Sequence, residues 1–140
     1  MLVVLDTNVI VSALCSAKGA SFALIHSLPS PKFTPVLSHS LWTEYQDAVR
    51  RQTVIPAAVS HSARDKVCQV VFANARLHQI HFLWRTQLPD PGDAHVLEVA
   101  VAGQVDYIVT HNIRDFGPAR SFGITAITPG QFIKLIGGVP

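Results

Sequence analysis

The sequence predicts an α/β fold: a three-layer α/β/α arrangement around a central parallel sheet of four to five strands. Short apolar runs alternate with longer amphipathic stretches from one end to the other, the pattern of strands joined by helical crossovers. Gly, Pro and Ser stand between these segments as turn signals. The 140 residues suffice for one buried core, and no repeat, low-complexity tract or linker divides them, so residues 1–140 read as a single domain.

The elements follow in order. Leu2 to Leu5 is an apolar run with the look of a buried strand. Asn8 to Leu14 and Ser21 to Leu28 read as helices separated by a turn at Ser16 to Gly19, and Pro29 and Pro31 close the pair. Phe33 to Ser38 is a second strand. Ser40 is placed to cap a helix reaching Arg51, with Leu41, Tyr45, Ala48 and Val49 on one stripe. Ser60 to Ala75 forms another helix, with Val67, Val70, Val71 and Ala75 on its buried face. Leu77 to Leu83 reads as a strand interrupted by His78, Gln79 and His81. Asp93 to Ala102 is a helix with Val96, Leu97, Ala100 and Val101 inward and Gly103 as its stop. Tyr107 to Thr110 and Ile124 to Ile127 are the remaining strands, and Pro129-Gly130 opens a last helix through Ile136.

Composition excludes several classes. Hydrophobic residues make up 49% and charged residues 14%, too apolar for long disordered tails. The mean hydropathy of +0.31 suits buried strands or an oligomer interface. No apolar run reaches the roughly 18 residues of a membrane span, and Asp6 breaks the opening run with no basic segment before it, unlike a signal peptide. Cys15 and Cys68 lie among apolar neighbours without a CxxC pairing, which predicts reduced core thiols in a cytoplasmic protein. The net charge is +2. Its basic residues (Arg50, Arg51, Arg64, Lys66, Arg76, Arg85, Arg114 and Arg120) are interspersed with the acids, either as ordinary solvated side chains or as a basic rim suited to a phosphate polymer.

Right-handed crossovers place the carboxyl ends of parallel strands, and the amino ends of the following helices, along one edge of the sheet. Asp6 ends the first strand, Glu44 lies early in the helix after the second, Asp93 starts the helix after the Leu77–Leu83 run, and Asp115 follows the Tyr107–Thr110 strand. All four are therefore expected on the same edge, although the chain has only nine acidic residues. Clustered carboxylates repel, and a dication relieves the repulsion. Hard oxygen donors select Mg²⁺ or Mn²⁺, which activate water for phosphodiester hydrolysis. Zinc is disfavoured, because the seven histidines show neither HExxH nor Cys/His spacing.

Several neighbours have two readings. Asn8 either orients Asp6 or caps the next helix. Asp47 either joins the site or pairs with Arg50 or Arg51 on the helix surface. Asp90, before Pro91, either caps the next helix, with Asp93 completing a capping box, or joins the site as an accessory ligand, and Asp93 in turn either stabilises the helix or ligates a metal ion. Thr110 and Asn112 supply a hydroxyl and an amide beside Asp115. Asp106 opens its strand at the opposite end and reads as structural.

Four segments carry a family resemblance: LDTNV at Leu5–Val9, LWTEY at Leu41–Tyr45, PDPGDAHVLE at Pro89–Glu98 and DYIVTHNIRDF at Asp106–Phe116. In this order and spacing they resemble the PIN-domain nucleases, in particular the PIN-family toxins of bacterial and archaeal toxin–antitoxin systems. The resemblance implies a parallel sheet flanked by helices, a single-stranded RNA substrate, Mg²⁺ or Mn²⁺, and a homodimer inhibited by a separate small antitoxin. It also implies acidic site residues at Asp6, Glu44 and Asp93, with the fourth between Thr110 and Asp115. Asn112 departs from the pattern, since many members carry aspartate there. Two other readings stand beside this one. A PIN-like module without activity would bind RNA or protein and cut nothing. A haloacid-dehalogenase-like phosphatase would use Asp6 as nucleophile, but Asn8 occupies the place of its general acid.

Overall fold

The computed structural model describes residues 1–51, 53–79 and 93–139. Five strands form one parallel sheet: β1 (Leu2–Leu5), β2 (Thr34–Leu37), β3 (Arg76–Leu77), β4 (Tyr107–Val109) and β5 (Thr125–Ile127), in the order β3-β2-β1-β4-β5. The helices are α1 (Thr7–Cys15), α2 (Ala20–His26), α3 (His39–Arg51), α4 (His61–Ala73), α5 (Asp93–Ala102) and α6 (Pro129–Leu135), and a 3₁₀ segment spans Ile113–Phe122. The predicted three-layer α/β fold with a parallel sheet is therefore the observed one.

The strand order fixes where a site can form. From β1 the chain steps outward through β2 to β3, whereas β4 and β5 extend the other side. Right-handed crossovers in opposite directions place α1 to α4 on one face and α5 with the 3₁₀ segment on the other. α6 packs against α2, and α5 lies across β1, β2 and β4. β1 and β4 are direct neighbours, with Leu5 level with Val109. Their carboxyl ends thus flank the switch point, the crevice where open parallel sheets bind ligands.

The core is the apolar set the periodicity selects. Val3, Val4, Leu5, Ile108 and Val109 are wholly buried, and so are Leu41, Tyr45 and Val49 with Ala48 nearly so, the stripe expected on α3. Pro35 is tolerated inside β2 because Thr34 N–H donates to Met1 O, which turns the next backbone nitrogen toward β3. β3 pairs only from Val36 onward, so no described ladder bond is lost there.

Several details differ from the expectations. α3 is capped by Ser38, whose Oγ accepts from Leu41 N–H at 3.1 Å, two residues earlier than Ser40 suggested. On α4, Arg64, Cys68 and Val71 are the buried positions, while Val67, Val70 and Ala75 are only partly covered. α5 does end at Gly103, but the left-handed residue is Gln104, at φ 51°. Gly103 is needed for a different reason: a Cβ there would meet Val36 Cγ1 at 2.9 Å and Val99 O at 3.0 Å. Of the Leu77–Leu83 run, only Leu77 is strand among the described residues, and 80–83, with His81, lie outside them. Cys68 is buried as expected, whereas Cys15 is exposed at the end of α1. Asp106 is structural, its carboxylate accepting from Leu2 N–H at 2.9 Å.

No single helix among the described residues is long and apolar enough to cross a membrane. α1 and α2 pass that test only jointly, and they are bent by 102° against each other.

Candidate active site at the carboxyl edge of the sheet

Asp6 follows the last residue of β1 and precedes α1, and its backbone N–H still pairs with Val109 O at 2.9 Å. The sheet hydrogen bonding thereby delivers its side chain into the crevice between β1 and β4. Asp6 is only 5% exposed. Burial pushes its carboxyl up from 3.8 to about 6, and the negative charges of Glu44 and Asp115 add to the rise. Hydrogen bonds from the Thr110 hydroxyl and the Thr7 backbone oppose it. A carboxylate held this way is short of positive charge, and that deficit is what a cation answers.

Thr110, the first residue past β4, organises the floor of the site. Its hydroxyl donates to Asp6 Oδ2 at 2.7 Å and accepts from Asn112 N–H at 3.0 Å. Asn8 Nδ2 approaches the same hydroxyl at 3.5 Å, and Asn8 Oδ1 accepts from His111 N–H at 3.4 Å. Asn8 therefore ties the start of α1 to the end of β4 and does not cap its helix; it reaches Asp6 only through Thr110. His111 is anchored from the other side by Ser21, with 3.1 Å between Nε2 and Oγ. Partial burial lowers the pKa of this imidazole.

Glu44 comes from the second turn of α3 and meets His95 of α5, with 3.0 Å between Oε2 and Nδ1. Asp93 stands in the first turn of the same helix, half-buried. Asp115 lies in the first turn of the 3₁₀ segment, which the sequence reading left without an element, and it borders an open hollow of about 690 Å³ with His111, Asn112, Ile113 and Arg114. Asn112 enters the network through its backbone. Asp47 pairs with Arg51 at 2.8 Å on the surface of α3, away from this cluster. Asp90 lies outside the described residues.

The charges of Glu44 and Asp115 thus both reach Asp6, and Asp93 starts the helix that carries His95 to Glu44. Among the described residues, no three His, Cys, Asp or Glu side chains converge tightly enough to enclose one metal ion. The donors are hard oxygens around a desolvated, electron-rich Asp6. That set fits Mg²⁺ or Mn²⁺, which bind through one or two carboxylates and keep water in their remaining positions, and does not fit a closed zinc cage.

Sequence reasoning overlooked His95, Ser21 and His111. His95 had a usable signal, since it follows Asp93 by two residues within one helical turn. Ser21 and His111 are 90 residues apart and meet only through the tertiary fold. Arg64 also needs correction as a rim residue. It is 8% exposed, and its guanidinium donates to Val49 O, Val59 O and Pro56 O at 2.8, 3.1 and 3.3 Å.

A family model described as PIN domain matches residues 2–114. The chain belongs to the PIN-domain family. Solved structures share its fold at low identity. VapBC2 from Rickettsia felis, bound to a DNA fragment from its promoter, contains a chain matching at TM-score 0.61 and 15% identity, over 91% of this chain and 98% of that one. VapBC-1 from nontypeable Haemophilus influenzae contains another at TM-score 0.61 and 14% identity, covering 93% and 99%. A search of curated proteins gives no significant match. In this PIN domain the family match spans β1 through the strand-end Thr110 network, and so takes in Asp6, Glu44 and Asp93. It stops one residue short of Asp115.

Proposed function

We propose that this PIN domain is a Mg²⁺- or Mn²⁺-dependent endoribonuclease that hydrolyses single-stranded RNA, and that it is the toxin of a type II toxin–antitoxin pair working as a cytoplasmic homodimer. The observation that carries the reading is Asp6: a carboxylate at the sheet switch point, desolvated, facing further acids, and raised to a pKa of about 6. Structural carboxylates of a stable core are normally paired with a cation, and among the described residues the charges that reach this one are those of Glu44 and Asp115.

Asp6 and Asp93 would hold the principal ion with water in its remaining positions, Glu44 would orient one such water, and Asp115 would support a second ion. The bound ion would supply Lewis acidity toward a phosphate oxygen and a water molecule more acidic than bulk. The residues themselves do the positioning. Thr110 holds one Asp6 oxygen and with it the orientation of the whole carboxylate. Arg114 beside the open hollow offers a positive charge to the RNA backbone, and binding is expected to weaken as salt rises.

The antitoxin part of the proposal draws on the VapBC neighbours and on an apolar cavity of about 590 Å³ between α1, α2 and α4, lined by Leu14, Phe22, Ile25, Val67 and Val70 among others. Such a groove suits the apolar face of a partner segment.

The test is cleavage of a labelled single-stranded RNA with Mn²⁺. Wild type is expected to cut, and Asp6→Asn and Asp93→Asn are expected to be inactive with unchanged circular dichroism. Equal cleavage by all three overturns the assignment. Asn112, in a position where many family members place an acid, favours one second reading: a PIN module that binds RNA without cutting it. RNA retention by the wild type with no cleavage at any Mn²⁺ concentration selects that reading.

A further inference from the structure

We propose that His95 is a positioning residue of the acidic site, holding the Glu44 carboxylate in place through Nδ1. The inference rests on the metal-dependent reading above and adds to it a residue that the acidic pattern does not contain.

The geometry is specific. His95 Nδ1 and Glu44 Oε2 are 3.0 Å apart, and their side chains are 25% and 23% exposed. A carboxylate only accepts hydrogen bonds, so the proton of this contact resides on Nδ1 whatever the charge of the ring. The two residues are 51 positions apart and belong to α3 and α5, which pack against each other. The contact therefore depends on the tertiary fold and does not arise from helical spacing.

Among the described residues, the arginines of α3 and α4 have partners of their own. Arg51 binds Asp47 at 2.8 Å, Arg50 binds Asp65 at 3.6 Å, and Arg64 is committed to three carbonyls. Glu44 has a long side chain, and as an isolated group facing Asp6 it would gain by swinging away from that negative charge. The imidazole removes this freedom by fixing one oxygen. The carboxylate is then held where its charge reaches Asp6. A hydrogen-bond partner behind a metal-binding carboxylate acts in this way, and its loss commonly costs about tenfold to hundredfold in metal affinity.

The contact also accounts for the placement of Asp93. α5 starts at Asp93, and two residues later His95 docks on α3. One side-chain contact thus sets the amino end of α5 against the helix that bears Glu44.

The experiment is a calorimetric Mn²⁺ titration of the full chain at neutral pH. It compares wild type with His95→Ala, His95→Phe and His95→Asn, with thermal melts in chelator as the fold control. Alanine and phenylalanine remove the donor, and phenylalanine keeps the bulk of the ring. Asparagine retains an N–H near the Nδ1 position. The expected result is Mn²⁺ affinity about tenfold or more weaker for the first two and within about threefold of wild type for His95→Asn. A purely structural ion pair would lower the melting temperature without moving Mn²⁺ affinity in the folded protein, and that outcome overturns the inference. Equal weakening in His95→Asn overturns it as well, because the ring would then act by something other than its Nδ1 donor. If wild type itself fails to bind Mn²⁺, the metal-dependent reading falls and this inference falls with it. If wild type binds and the donor-free variants bind equally well, only the role of His95 is lost.

Discussion

Tyr45 of α3 donates its buried hydroxyl to the carbonyl of Leu5, the last residue of β1. These two residues are the immediate neighbours of Glu44 and Asp6 in sequence. One hydrogen bond therefore sets the distance at which α3 presents Glu44 to the end of β1. Burial, with the charge of Asp6 adding to it, pushes the Tyr45 hydroxyl well above its ordinary pKa, so it remains a donor at every physiological pH.

Replacing Tyr45 with phenylalanine keeps the packing and removes only this strut. Tyr45 is fully buried, so the Leu5 carbonyl would lose its side-chain donor with no water to replace it. The expected cost is about 1–3 kcal/mol in urea unfolding. RNA cleavage is expected to fall more than the change in folded fraction explains, because the two carboxylates are no longer held at a fixed separation. A variant with wild-type stability and wild-type cleavage would show that the bond positions nothing.

The raised pKa of Asp6 gives a stability signature with a definite sign. In the unfolded chain this carboxyl titrates near 3.8, and in the fold near 6. Between these values the native state holds the extra proton, so stability of the metal-free protein falls as pH rises through this window. Below about pH 4 the group is protonated in both states and contributes no difference. Above about pH 6 the folded protein carries an ionised, desolvated Asp6, a penalty of about 3 kcal/mol at 1.36 kcal/mol per unit. Asp6→Asn lacks that penalty. Urea titrations in chelator from about pH 4 to about pH 8 should show the variant overtaking wild type as pH increases. Parallel curves would mean that Asp6 is not desolvated in solution. Added Mn²⁺ is expected to stabilise wild type above pH 6 and to leave Asp6→Asn unmoved.

Much of this architecture was legible in the sequence, and the limits follow from what sequence patterns encode. Strand and helix order came from hydrophobic periodicity, and strand polarity followed from the crossovers. The shared edge for Asp6, Glu44, Asp93 and Asp115 was therefore a topological consequence, available before any coordinate. The 3₁₀ segment was missed because Ile113–Phe122 mixes Pro118, Gly117 and two arginines without a helical or alternating period. Only Phe116 and Ala119 of it are buried. His95 was missed because a pattern of acids says nothing of what holds them. Arg64 shows the converse. Charge is read as surface by default, yet this guanidinium is buried because three backbone carbonyls converge on it.

Thr110 is expected to tolerate serine and not valine. Its hydroxyl serves Asp6, the Asn112 N–H and the Asn8 amide together, and the residue is fully buried. Thr110→Val keeps the shape but removes the donor that lowers the Asp6 pKa, so that pKa should rise further and cleavage should require higher pH. Stability should fall by about 1–3 kcal/mol for the buried groups left unpaired. Thr110→Ser should restore both. A pH–rate profile for the three proteins decides the matter, and a profile for valine that matches wild type counts against the role assigned to the hydroxyl.

Arg64 separates a structural cation from an RNA-binding one. Its three acceptors are Val49 O near the end of α3 and the Pro56 and Val59 carbonyls in the loop before α4, so it clamps the α3–α4 connection from within. Arg64→Met keeps much of the apolar stem and leaves those carbonyls without a charged donor. Hydrogen bonds to charged groups contribute about 1.5–3 kcal/mol each, although the charge also had to be desolvated, so the net loss is expected to be about 2–4 kcal/mol. The salt dependence of RNA binding should stay the same in the folded fraction, because this charge does not face a phosphate. Arg114→Met should behave in the opposite way, with stability within about 0.5 kcal/mol of wild type and a salt slope shallower by about one ion. If Arg64→Met flattened the salt slope and left unfolding unchanged, the buried clamp would have to be abandoned in favour of a surface arginine on the nucleic-acid path.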